Sequence, residues 1–153
     1  MSDVLSTRPP IAVALDAPDD ATAIGWAEAV GPHVAVVKVG LELFCRYGPS
    51  VVTAVRESGD AALFLDLKLH DIPNTVAGAA RAAAELRPAY LTVHASGGTA
   101  MIRAAVDAAP DVAITAVTVL TSMDEDDLAA VGLAHRPAVA AVSESPDPPG
   151  GPE

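Results

Sequence analysis

AALFLDLKLHDIPNT, residues 61–75, runs five apolar residues straight into a segment carrying two aspartates, a lysine and a histidine in its next six positions. A buried strand over Leu63–Leu67, a charged turn, and a helix over Asn74–Leu86 capped by Asn74 account for the pattern. Four further apolar runs read as strands: Ile11–Leu15, Val34–Val39, Tyr90–His94 and Val112–Val119. Helices are expected at Ala21–Val30 behind Asp19 and Asp20, at Pro49–Glu57 with proline in the first turn, at Gly98–Ala109 and at Asp124–Val131. The result is five consecutive strand–helix units, and connections of this length imply parallel strands covered by crossover helices.

Two architectures fit that order, an open doubly wound sheet and an eight-fold barrel. The first strand leads into DAPDD rather than a glycine-rich phosphate loop, which weakens the dinucleotide-binding version of the former. Polar residues recur at the C-terminal strand ends: Asp16, Lys38, Asp66 with Lys68, His94, and the region Thr118–Ser122. Functional groups gathered on one rim are the mark of a barrel. The expected fold is therefore α/β, a partial (β/α)8 TIM barrel with about five of the eight units. A complete barrel rarely has fewer than about 200 residues, so the chain reads as truncated after its fifth unit. Residues 1–10 read as an N-terminal extension and 11–133 as the partial barrel. Residues 134–153 read as an atypical, disordered tail, with Ala138–Val142 as a candidate sixth strand and SESPDPPGGPE unable to build a core.

Composition narrows the function. A formal net charge of -11 disfavours nucleic acid and anionic membrane surfaces. No apolar run nears the roughly 20 residues that span a bilayer and Met1–Pro10 lacks the order of a signal peptide, so a cytoplasmic location is expected. The single Cys45 excludes an internal disulfide framework and reads as a small buried hydrophobe. Of the nine basic residues only Lys38 and Lys68 are lysines, both near strand ends. Lysine supplies a compact charge and a transferable proton, which arginine does not.

Residues i and i+2 of a strand share a face, so Asp66 and Lys68 are expected to point together into the barrel mouth, with Asp71 following before Pro73. A structural salt bridge plus a helix-start acid is one reading. The cost of burying such groups, several kcal/mol per ion unless well paired, favours a site. His70, His94 and Asp71 lack the spacing of a metal centre, and His94 reads as a hydrogen-bonded strand-end residue. Gly97-Gly98 reads as a strand-to-helix turn rather than a phosphate loop. His33 and His135 carry no signal.

DLKLHDIPNT, with IAVALD upstream, VKVGLELF between and VTVLTS downstream, resembles orotidine 5'-phosphate decarboxylase over roughly Ile11–Leu133. The DxKxxD core is shared with related sugar-phosphate decarboxylases, and the HDIPNT extension is more specific. The resemblance implies cofactor-free conversion of orotidine 5'-monophosphate to uridine 5'-monophosphate in pyrimidine synthesis. It implies a charged network of Lys38, Asp66, Lys68 and Asp71, with Lys68 the proton donor and Asp66 beside the substrate carboxylate. Asp16 and Lys38 would hold the ribose, and Thr121 or Ser122 the base, with Ile72 also at the substrate. Asp71 and Thr75 would reach a partner's site in a homodimer. The later-strand phosphate grip of such enzymes is not in the sequence, and Arg136 lies in the wrong unit to replace it. Weak nucleotide binding and little turnover are thus expected of these 153 residues. Two other readings stay open: a magnesium-dependent DxKxxD sugar-phosphate decarboxylase, and an inactive barrel fragment that pairs with itself or a partner.

Overall fold

The computed structural model describes residues 8–132. Ala138–Val142, Arg136, His135 and the whole expected tail lie outside them. Five strands form one parallel sheet: β1 (Ala12–Ala14), β2 (Val36–Gly40), β3 (Ala62–Leu69), β4 (Tyr90–His94) and β5 (Ala113–Val117). They alternate with α1 (Asp20–Val30), α2 (Leu41–Tyr47), α3 (Pro49–Glu57), α4 (Pro73–Ala84), α5 (Gly98–Ala108) and α6 (Glu125–Ala130). The spatial order of the strands is the sequence order, β1-β2-β3-β4-β5. A doubly wound sheet reverses its order at a switch point and covers both faces, so sequential order decides for the barrel arrangement.

Alternation along the strands divides the sheet. Leu63 and Leu65 of β3, Val37 and Val39 of β2, and Leu91 and Val93 of β4 face the helices. There they join Ala23 and Ala27 of α1, Val51, Val52 and Val55 of α3, Val76 and Ala80 of α4, and Met101, Ile102 and Ala105 of α5 in one core. Each fully buried Val, Leu, Ile or Met side chain of this core contributes about 1.5–3 kcal/mol. The opposite face lines a hollow of about 440 Å³ with Ala12, Val36, Phe64, Tyr90 and Thr115, one residue from each strand. Five neighbouring strands share one hollow only if the sheet curls, as a sector of a barrel does.

Local signals explain the helix starts. The Asp19 side chain accepts the Thr22 N–H at 2.7 Å and caps α1, and Asp124 forms a reciprocal capping box with Asp127 at α6. Asn74 is not the cap of α4: Ile72 holds that position, and Pro73 opens the helix without a side-chain cap. The helix α2 was not expected. It leaves β2 directly from Gly40, with no capping side chain and only seven residues to show a period. Cys45, on α2, is exposed, because Leu43 takes the inward position of that short helix. No helix among the described residues is long and apolar enough to cross a membrane.

Candidate active site

The C-terminal end of β3 is irregular, and the site is built on that irregularity. Leu65 pairs with Leu91 and Leu69 with Val93, so three β3 residues, Asp66, Leu67 and Lys68, stand opposite the single β4 residue Thr92. Lys68 takes φ +51°, a left-handed conformation that costs a non-glycine residue on the order of 1 kcal/mol. Bulges of this kind re-aim side chains beside functional sites.

Asp66 is the hub. It is 7% exposed, and its two oxygens face two different lysines: Lys38 Nζ donates to Oδ2 at 3.0 Å, and Lys68 Nζ to Oδ1 at 2.9 Å. The Thr92 hydroxyl donates to the same Oδ1 at 2.9 Å and accepts the Lys68 backbone N–H at 2.8 Å. Burial alone would raise the Asp66 carboxyl. The hydrogen bonds from Lys68, Lys38 and Thr92, with the charge of Lys38, outweigh it and hold the group below the usual carboxylate range. Lys38 reaches the hub from β2, where it lies level with Phe64, one inward-facing step below Asp66.

The other expected site residues lie beyond the C-terminal ends of β1, β3 and β5 and on α4, outside this set of hydrogen bonds. The Asp16 carboxylate stands over the end of β2, with Oδ1 3.4 Å from where a Cβ on Gly40 would lie, an ordinary contact distance. Asp71 is exposed and turned back on its own chain, Oδ1 accepting the Ile72 N–H at 2.6 Å. Ile72 is exposed on the same rim, and Thr75 lies exposed in the first turn of α4. Thr121 and Ser122 are exposed just beyond β5. Lys38, Asp66 and Lys68 are thus brought together within one chain, and Asp71 is not.

Two features were missed in the sequence. One is Thr92, the only polar residue of the run Tyr90–Val93 other than the tyrosine; its position two before His94 puts both on the inner face. The other is the pairing of His70 and His94, whose ring centroids are 5.3 Å apart. Desolvation first, then the charges of His70 and Lys68, keep His94 below the ordinary imidazole range. Gly97 gives this pair its room: a Cβ there would overlap the Met101 side chain and approach His70 Cδ2 to 3.2 Å. Gly97-Gly98 itself forms a turn into α5, with Gly98 at φ +82°. No group of three His, Cys, Asp or Glu side chains converges among the described residues.

A model of the orotidine 5'-phosphate decarboxylase / HUMPS family matches residues 9–147. The orotidine 5'-phosphate decarboxylase of Thermobifida fusca is 69% identical over 124 residues, which are 81% of this chain and 53% of that protein. The one from Frankia casuarinae is 57% identical over 147 residues, covering 85% of this chain and 54% of the relative. Among solved structures, orotidine 5'-phosphate decarboxylase from Lactobacillus acidophilus superposes with a TM-score of 0.72 at 35% identity. That match covers 87% of this chain and 63% of the other. The chain therefore spans about half the length of the relatives it matches.

Proposed function

The chain belongs to the orotidine 5'-phosphate decarboxylase / HUMPS family, and on that premise we propose that its β3 rim supplies the reacting groups for decarboxylation of orotidine 5'-monophosphate to uridine 5'-monophosphate. The observation that carries the proposal is the Lys38–Asp66–Lys68 triad, with both carboxylate oxygens held by ammonium groups at 3.0 and 2.9 Å.

The chemistry asks for such a triad. When the bond from C6 to the carboxylate breaks, CO2 leaves and the electron pair stays on C6 in an orbital the ring cannot delocalise. Lys68 meets both needs of that carbanion. Its positive charge stabilises the developing anion, by about 4 kcal/mol at roughly 4 Å and an effective dielectric near 20. A proton from Nζ then forms the C6–H bond, and the neutral amine recovers its proton from solvent. Asp66 holds Lys68 in place and sets a negative charge beside the substrate carboxylate. Lys38 fixes the second oxygen of Asp66 and, with Asp16, faces the ribose hydroxyls; Thr121 or Ser122 takes the base. No metal or organic cofactor takes part in this scheme.

The same proposal has a quaternary side. Asp71, Ile72 and Thr75 are exposed and without partners in the charge cluster, and in a homodimer Asp71 and Thr75 complete the neighbouring subunit's site. Pyrimidine synthesis in the cytoplasm is the corresponding cellular setting.

The direct test is loss of orotidine 5'-monophosphate absorbance and release of CO2 by the purified protein, beside Lys68→Ala. Loss of both charge stabilisation and the proton donor lowers turnover by about 10²–10⁴-fold with the fold retained. A folded Lys68→Ala protein with unchanged turnover overturns the assignment. Absence of turnover in the native chain favours the reading as an inactive barrel portion, and turnover abolished by a chelator favours a metal-dependent relative.

A further inference from the structure

We propose that Thr92 is a positioning residue, whose hydroxyl sets the Asp66 carboxylate and the Lys68 backbone in register with one another across the β3 bulge. The catalytic consequence rests on the decarboxylase reading above; the positional one does not.

The bulge creates the need. With three β3 residues facing one β4 residue, the regular ladder cannot dictate where the middle of the bulge lies. Lys68, at φ +51°, occupies a conformation that persists only where its surroundings determine it. The structure provides one group that touches both sides of the irregularity. Thr92 Oγ1 accepts from Lys68 N at 2.8 Å and donates to Asp66 Oδ1 at 2.9 Å, the same oxygen that accepts from Lys68 Nζ at 2.9 Å. Backbone and side chain of Lys68 are thereby both tied to Thr92, one directly and the other through a shared carboxylate oxygen.

Only a hydroxyl can do this. It has one proton to donate and lone pairs to accept with, so a single atom serves an acceptor and a donor at once. Thr92 is 2% exposed, which leaves little room for solvent to take over if the hydroxyl is removed. Valine preserves the shape and loses both bonds; serine preserves both bonds and loses a methyl. The pair of variants separates positioning from packing.

The test follows the Asp66 carboxyl and the Lys68 amide by NMR in the full chain, labelled with ¹³C-carboxyl aspartate and ¹⁵N, for native protein, Thr92→Val and Thr92→Ser. In Thr92→Val, Asp66 titrates at a higher pH than in the native protein and the Lys68 amide exchanges about tenfold faster or more. In Thr92→Ser both stay near native. With orotidine 5'-monophosphate as substrate, Thr92→Val lowers kcat by about 10- to 100-fold with little change in KM, as a misplaced reacting group does, and Thr92→Ser recovers most of it. Native-like Asp66 titration and Lys68 exchange in Thr92→Val, or equal damage in both variants, overturn the proposal. If Thr92→Val does not fold, the native protein decides: a slowly exchanging Thr92 hydroxyl proton with a cross-peak to the Lys68 amide proton supports the bridge, and its fast exchange refutes it. A native chain without turnover bears on the decarboxylase reading alone, because the NMR measurements still judge Thr92.

Discussion

Phe64 and Leu65 are adjacent in sequence and lie on opposite sides of the sheet. Leu65 is fully buried among the helices, whereas Phe64 lines the inner hollow and stacks obliquely on Tyr90, ring centroids 5.7 Å apart. One residue further, Asp66 returns to the inner face and carries the ion cluster. The outer face is continuous and apolar, and its regular alternation contributes stability. The inner face changes over two residues from an aromatic floor to a polar rim, and there the strand loses its regularity. Stability and chemistry are thus assigned to alternate residues of the same strand, so substitutions at neighbouring positions should affect different observables.

The largest effect on stability is expected from Leu65→Ala, at about 2–5 kcal/mol, since a cavity opens where the sheet meets the helices. Chemical denaturation measures it, and a cost under about 1 kcal/mol would break the proposed division of the faces. Asp66→Asn comes next. It leaves two ammonium groups around a neutral amide and costs about 1–3 kcal/mol. The partial exposure of both lysines keeps the figure below that of a fully buried pair. Its pH signature is distinctive. A carboxyl held low in the folded state contributes stability above the unfolded value of about 3.9 and loses it as pH falls through the lower folded value, so Asp66→Asn removes that part of the acid limb.

Phe64→Ala should cost less than either, about 1 kcal/mol, because the ring is only partly buried and its main specific partner is Tyr90. A loss equal to that of Leu65→Ala would show that the inner face carries as much packing as the outer one. The smallest effect belongs to His94→Gln. An imidazole held low in the folded state destabilises the protein as pH drops below about 6.5, where the unfolded chain binds the proton first. His70 and Lys68 face the ring with like charge when protonated. The substitution should flatten the stability profile on the acid side of 6.5 and leave it unchanged at pH 8. Thermal unfolding across that range measures it.

The outer face was the legible half. Continuous apolar runs announce buried parallel strands, and alanine-rich stretches between them announce crossover helices, so five units stand out in the sequence alone. The inner face was harder because its order is set by contacts between strands. Asp66 and Lys68 were recognisable from composition and from their i, i+2 spacing. Their arrangement depends on a register shift against β4, which leaves no trace in β3 alone. Thr92 looks like an ordinary β-branched strand residue until Asp66 and Lys68 are seen beside it. The helix α2 was hidden because seven residues starting from a glycine give neither cap nor period. The end of β3 was also placed too early, at Leu67 rather than Leu69, since DLKL lacks the apolar continuity by which a buried strand is recognised.

The sequential strand order has a consequence for how the chain acquires its structure. Each strand pairs with the next one in the chain, and no sheet contact among the described residues joins strands that are remote in sequence. Loop-closure entropy rises only slowly with length and is met here in small, similar steps. The nucleus can be as local as one strand, its crossover helix and the following strand. Assembly can then proceed by adding one unit at a time to a growing edge, in the order in which a ribosome releases them.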